Sequence, residues 1–492
     1  MTTKRFSSFA MVLAVSTAIS AMHCGSSGGS GGSGDNGSSG GGTNGSSSGG
    51  TSGTGSSSGS GGNSSSGAPA SSSGGSSGGT TSSSGSNGSS SGAASSSGGS
   101  SGGGSSGSSS GSVTPVGADA CLPQQTDNVA ASVNPPNGLM PSQVPQFVMF
   151  GADDNYWADG IEWLINTALA GKVNPDGTPA QMTFFITSGG ATTDNGGVFA
   201  PGSVNQTPQD VLNSWQDAYK AGHEIGNHTW DHDQSDGTVG ATYTAAQWQS
   251  EESTAQTFLI NQVSIPSCEL DGWRFPYLMF DDAGFSTIQS AGFLFDASME
   301  FGYNWWLPPG APDSGYGPGN PLSGQHYWWP MTLDSGPPSG TNDGFDPTET
   351  KGVGAHPGFW EFFAETWNSP DPSSADPMNP TTVRTVTGVD YNNWEIQQTQ
   401  PSAGYNFCQT LEYTFTQRYN GNRAPFNVGL HSTIYSPDDP SQDTFFGNDA
   451  PTRRAGLQCF IDFLFSGAYP DVRVVGFHKV IEWMRNPTAL SQ

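Results

Sequence analysis

Positive charge is scarce in this chain. Only 14 Lys and Arg stand against 42 Asp and Glu over 492 residues, a formal net charge of −28. A groove that tracks phosphates needs clustered cations, so nucleic-acid binding is not expected. Adhesion of the folded part to an anionic membrane surface is excluded on the same ground. No stretch reaches 18 apolar residues, so no spanning helix is expected. Residues 25–112 contain no Val, Ile, Leu, Met, Phe, Trp or Tyr, and Asp35 is their only charge. Of these 88 residues 73 are Gly or Ser. Such a segment cannot bury enough apolar surface to offset its ordering entropy. It reads as a flexible tether spanning roughly 50 Å.

The first 24 residues hold a basic start, Lys4-Arg5, then a short apolar run from Phe9 to Ile19 and Cys24. This pattern reads as an export signal. With Cys24 directly ahead of the tether, it resembles a bacterial lipoprotein leader, although His23 occupies a place where a small residue is usual. That resemblance implies an outer-surface lipoprotein anchored through a lipid on Cys24, or a secreted protein if Cys24 is not lipidated. Removing Cys24 leaves Cys121, Cys268, Cys408 and Cys459. In an exported protein these suggest two disulfides, with three connectivities open. Positions along a closed barrel favour Cys121 with Cys459 and Cys268 with Cys408.

Residues 113–492 carry the fold, and strand and helix patterns alternate along them. FVMFG at Phe147–Gly151 reads as a buried strand, followed by a helix over Trp157–Ala170. Thr183–Thr187 and Glu224–Asn227 read as strands around a helix opened by Thr207-Pro208 and closed at Gly222. A capping box, Thr244-x-x-Gln247, opens a helix to Val263. Further strands are expected at Gly272–Phe275, Phe293–Ser298, Phe426–His431 and Val472–Phe477. Helices are expected at Asp282–Ala291, Tyr405–Tyr419, Thr452–Ser466 and Lys479–Arg485. The segment 301–403 breaks this rhythm and reads as an aromatic-rich insertion with short strands, as at His326–Leu333. Alternation around one core means a parallel sheet, doubly wound or barrelled. No GxGxxG or Walker loop follows the first strand, so a nucleotide fold has no support.

Titratable residues recur at the C-terminal ends of these strands, where a barrel enzyme keeps its chemistry. Asp153-Asp154 ends the first strand, His228 the third, Arg274 the fourth, Asp296 the fifth, and His431 ends FNVGLH. Taken singly, the Asp pair reads as a turn or cap, HxxxH at His228 and His232 as chance, and His431 as a core histidine. Together, one carboxylate and two His on one helical turn make a three-ligand metal site with open positions. A second Asp and a further His then supply a base and an acid.

These residues, in this order, resemble the carbohydrate esterase family 4 polysaccharide deacetylases, chitin deacetylase-like subgroup. The matching motifs are Asp153-Asp154, His228-x-x-x-His232, Arg274-x-Pro276-Tyr277 and Gly429-Leu430-His431. The resemblance extends through Val144-Pro145-Gln146, Gly222-His223-Glu224-Ile225, Trp329-Pro330, Trp360-Glu361, Asn422-Arg423-Ala424-Pro425 and Val480-Ile481-x-Trp483. It implies an α/β fold, a distorted (β/α) barrel. It also implies that Asp154, His228 and His232 hold a divalent metal, Zn2+ first with Co2+ or Mn2+ as alternates. Asp153 would be the base, oriented by Arg274. The Tyr277 N–H would stabilise the oxyanion, and His431 would protonate the leaving amine. The family's fourth motif is poorly matched, and Asp296 is its nearest candidate and the candidate carboxylate beside His431. Gly151-Ala152 and Asn155 depart from the family's usual residues around the acid pair.

The activity implied is removal of acetyl groups from an N-acetylated, chitin-like polysaccharide by a monomer at the cell surface. An O-acetyl xylan esterase, a peptidoglycan deacetylase and an inactive carbohydrate-binding surface protein stay open as alternatives. Trp305, Trp306, Trp328 and Trp329 are candidates for stacking on sugar rings, with core packing an equal reading of each.

Overall fold

The computed structural model describes residues 121–122, 127–191, 206–232, 243–301, 327–338, 352–371, 376, 378, 380, 383–397 and 403–491. The leader, the tether, Trp305, Trp306 and His326 lie outside these residues.

Among the described residues nine strands build the main sheet, and all but one pair run parallel. In chain order these are β1 (Gln146–Asp153), β2 (Thr183–Ile186), β3 (Glu224–Asn227), β4 (Gly272–Trp273) and β5 (Phe295–Asp296). The short β6 (Glu300–Phe301) leaves the sheet, and β7 (Met331–Leu333) and β8 (His356–Glu361) return to it. Outside it again lie β9 (Ala364–Glu365), β10 (Trp367–Pro370) and β11 (Val383–Val386), before β12 (Phe426–His431) and β13 (Val472–Val474) complete it. The order is β12-β1-β2-β3-β4-β5-β8-β7, with β13 also on β1 and only β7–β8 antiparallel.

Helices follow the strands: α1 (Ala158–Trp163), α2 (Pro208–Lys220), α3 (Ala245–Phe258), α4 (Asp282–Ala291), α5 (Asp390–Gln397), α6 (Ala403–Asn420), α7 (Pro440–Phe446), α8 (Ala450–Leu464) and α9 (Phe477–Arg485). Local chemistry sets their bounds. Thr207 caps α2 by accepting the Asp210 N–H while Asp210 reaches back to Thr207, and Thr244 and Gln247 form the same box on α3. Gly292, at φ 104°, ends α4 where the sequence places its stop. The ends of α1 and α3 widen into π turns at Leu164–Ala168 and Leu259–Val263. No helix among the described residues is long and apolar enough to cross a membrane.

The sheet curls into a distorted barrel, and its last seam is not a ladder. The Asn427 side chain on β12 donates to Phe363 O at 3.2 Å, and the Gly429 N–H donates to Gly388 O at 2.9 Å. A Cβ on Gly429 would sit 2.7 Å from that same Gly388 oxygen, so the two backbones meet only because the position is glycine. Inside, Phe477 stacks on Phe295 at 5.5 Å and meets Phe185 and Phe362 edge-on. These rings form an apolar floor.

Two expectations need correction, and one open alternative is closed. Strand β8 belongs to the main sheet, parallel to β5, although its residues fall in the segment read as an insertion. The HPGFWE sequence holds no β-branched residue and stands outside the strand–helix rhythm that marks the other parallel strands. Trp329 is buried and stacks on Trp483 at 5.9 Å, so it is a core residue and not a sugar platform. Finally, the disulfides join Cys121 to Cys268 and Cys408 to Cys459. The expected pairing assumed that first and last elements decide the geometry. Instead α6 and α8 lie side by side, with Gly404 and Gly456 at their contact, and this brings Cys408 against Cys459.

Candidate active site

Because β1, β3, β4 and β12 are parallel, their C-terminal ends open on one side of the barrel. Asp153, the last residue of β1, lies in register with His431, the last residue of β12. After Asp153 the chain turns through Asp154 and Asn155, both at positive φ (66° and 63°). The Asn155 amide fixes this turn, donating to Ala152 O at 2.7 Å and Phe185 O at 2.8 Å. Asparagine tolerates the left-handed region, so this departure from the family pattern has a structural role.

The turn points Asp154 at the two histidines. Its Oδ1 lies 3.6 Å from His228 Nε2 and 3.3 Å from His232 Nε2. The two imidazoles do not share a helical turn, as the spacing suggested. They sit on an irregular loop after β3, with Thr229 and His232 at positive φ. His228 Nδ1 faces the Arg274 carbonyl at 2.7 Å. A carbonyl only accepts, so the hydrogen is on Nδ1 and the Nε2 lone pair faces Asp154. Burial, with His232 alongside, pushes His228 down to about 3, which keeps it neutral. Asp154 Oδ1 is buried and accepts no hydrogen bond. An ion about 2.1 Å from each donor would set them roughly 3.0–3.4 Å apart, close to the separations found. The donor set therefore fits a divalent metal. A second grouping, Cys408, Glu412 and Cys459, does not, because its sulfurs are joined in a disulfide.

Arg274 braces the other aspartate. Its Nη1 donates to Asp153 Oδ1 at 2.9 Å and to Gly151 O at 3.2 Å. Its Nε donates to Ala297 O at 2.9 Å and Nη2 to Asn427 Oδ1 at 3.3 Å, and its plane lies 4.4 Å over the Phe185 ring. A Cβ on Gly151 would already be 3.0 Å from the guanidinium. Tyr277 follows on a short turn at φ 56°, its half-exposed ring 4.5 Å from that of His232.

His431, at the end of β12, keeps a fifth of its side chain exposed. Its Nδ1 pairs with Asp390 Oδ1 at 2.8 Å, and its N–H donates to Asp390 Oδ2 at 3.1 Å. The Tyr435 hydroxyl donates to the same oxygen at 3.0 Å. Burial opposes a charge on the ring, but the Asp390 bond and charge, with Asp154 and Asp153 beyond, raise His431 to about 9. Sequence reasoning missed Asp390. It opens α5, inside the segment set aside as irregular, and no local pattern ties it to a strand 36 residues later. Asp296, the residue expected in this place, lies elsewhere. It is buried at the end of β5, accepts from Ser298 N and Oγ (2.8 Å each), and sits beside Glu361, with burial raising it to about 7.

With this geometry in hand, the sequence relationships are informative. Residues 178–295 match the sequence model of the polysaccharide deacetylase family, which supports a domain of that class here. That span includes His228, His232, Arg274 and Tyr277. Chitin deacetylase 8 of Bombyx mori is 24% identical over 384 residues, covering 77% of this chain and 80% of that protein. Among solved structures, a putative polysaccharide deacetylase from Mycobacterium smegmatis aligns with a TM-score of 0.36 at 14% identity, over 72% of this chain and 99% of that one. A family 4 carbohydrate esterase from Streptomyces lividans, in complex with acetate, gives 0.22 at 16% identity, over 32% and 64%.

Proposed function

We propose that this chain is a metal-dependent hydrolase that removes acetyl groups from an N-acetylated polysaccharide, with a chitin-like N-acetylglucosamine polymer as its substrate. The observation that carries the reading is the meeting, at one end of the sheet, of the Asp154/His228/His232 donors with two separately braced groups, Asp153 on Arg274 and His431 on Asp390. Asp154, His228 and His232 would hold the ion, Zn2+ by preference and Co2+ or Mn2+ as alternates. When bound, it would polarise the acetyl carbonyl and lower the pKa of a water. Asp153 accepts the proton that the attacking water gives up. The Tyr277 N–H donates to the oxygen on which negative charge develops. His431 enters the reaction as imidazolium and gives its proton to nitrogen as the C–N bond breaks, so acetate and a free amine leave. On the same reading residues 1–24 direct export, Cys24 carries a lipid, and residues 25–112 tether the catalytic domain at the outer surface.

The test is acetate release from chitin oligomers, acetylxylan and peptidoglycan, with chelator and with added zinc. Release from chitin oligomers that chelator abolishes and zinc restores is expected. Release from acetylxylan or peptidoglycan alone would reassign the substrate. Glycan binding without acetate release in zinc would replace the enzyme reading with that of a carbohydrate-binding surface protein.

A further inference from the structure

The loop that carries both histidines is held on its carbonyl side by backbone, with Thr229 O and Trp230 O accepting from the Ser188 and Gly189 N–H groups at 3.1 and 2.7 Å, and on its N–H side by side chains. Four successive N–H groups are each taken by a side-chain oxygen. The Thr229 N–H donates to Asn227 Oδ1 at 2.8 Å, and the His232 N–H to Thr229 Oγ1 at 3.2 Å. Between them, the Trp230 and Asp231 N–H groups both donate to one atom, Glu251 Oε2, at 3.0 and 3.1 Å. Glu251 comes from the middle of α3, a separate and regular element. The path it holds is a costly one, because Thr229 (φ 70°) and His232 (φ 58°) both occupy the left-handed region that residues with a Cβ avoid. Asp154 and His228 have their own supports, the turn after β1 and the Arg274 carbonyl. His232 is carried by the loop itself and packs against the Tyr277 ring, 4.5 Å away.

We propose that Glu251 is a positioning residue of the metal centre, which holds loop 229–232 in the strained path that turns His232 towards Asp154. The inference rests on the metal-site reading above and adds to it a residue that touches neither ion nor substrate. Loss of the acceptor would release two N–H groups together and let the loop relax, leaving two donors in place and the third displaced. The expected result is a weakened site on an intact barrel.

The experiment is calorimetric titration of the full chain, stripped by chelator, with Zn2+ alone. Wild type takes up one equivalent. Glu251→Ala binds about 10–100-fold more weakly, with its far-UV spectrum unchanged. Glu251→Gln keeps an oxygen in place and binds close to wild type. Should the alanine variant fail to fold, Glu251→Asp, one methylene too short to reach, reads the same effect. Wild-type affinity in the alanine or aspartate variant overturns the inference, and so does a glutamine variant as weak as alanine, which would assign the effect to charge. A wild-type chain that takes up no zinc, cobalt or manganese overturns the metal reading itself and takes this inference with it.

Discussion

Asp153 and His431 are register partners on adjacent parallel strands, each the last residue of its strand. The ladder sets them side by side, about 4.8 Å apart at the backbone, and their braces come from different directions: Arg274 from β4's end, Asp390 from α5. Two groups proposed for opposite proton tasks therefore share one wall, and single substitutions can address each.

The two neighbouring aspartates should separate cleanly. Asp153→Asn is expected to keep its metal and lose about 10²–10⁴ in kcat. Asp154→Asn, which removes the carboxylate charge facing the two imidazoles, is expected to lose metal first. Metal content by atomic absorption beside kcat distinguishes them, and the reverse pattern would exchange their roles.

His431 should matter in proportion to how poor the leaving group is. An amine anion is too basic to depart unprotonated, whereas an aryl oxide is not. His431→Ala should slow N-deacetylation of chitin oligomers by about 10²-fold or more and an aryl acetate much less, with metal content unchanged. Equal losses on both substrates would point to a binding or structural role.

The Asp390 brace sets a pH dependence with a definite sign. His431 is raised to about 9, so its acid form persists through neutral pH and the descending limb of kcat is expected near pH 9. In Asp390→Asn burial dominates and that limb moves to lower pH. Stability follows the same sign. A folded-state value above the ordinary 6.5 means that the contribution is whole below pH 6.5 and is lost as pH rises through about 9. Melting temperatures of wild type and Asp390→Asn should therefore converge at high pH.

The Cys408–Cys459 bond closes 51 residues between α6 and α8. Its loss in Cys408→Ala/Cys459→Ala should cost roughly 2–4 kcal/mol in denaturant unfolding. Acetate release below the melting transition should be unaffected, because neither residue is among those that form the site.

What the sequence made legible was local. Capping boxes, the Gly292 stop and short apolar runs placed α2, α4, β1, β3 and β12 to within a residue or two, and α3 as well once its closing π turn is counted, because those signals act over one turn or one pleat. Asp154, His228 and His232 could be grouped because the topology lines up strand ends. Asp390 could not, since only the return of α5 against β12 brings it to His431. Nor could the path of the HxxxH loop, which Asn227, Thr229 and Glu251 impose from outside its own backbone preference. The cysteine pairing failed for a related reason: helix packing chooses partners that strand order does not reveal.

Arg274 has a consequence of another kind. One guanidinium joins the end of β1, the turn after β5, an amide on β12 and a ring on β2, while also holding Asp153. Stability and reactivity therefore draw on the same guanidinium, and mutation cannot trade one against the other at this position. A lysine ammonium has three donors around one nitrogen and cannot reproduce the planar fork that reaches these four oxygens. During divergence the surrounding loops are free to change substrate, but a lineage that abandons the chemistry would still have to keep this arginine to keep its barrel. Its retention in a relative is thus no sign that the relative is active.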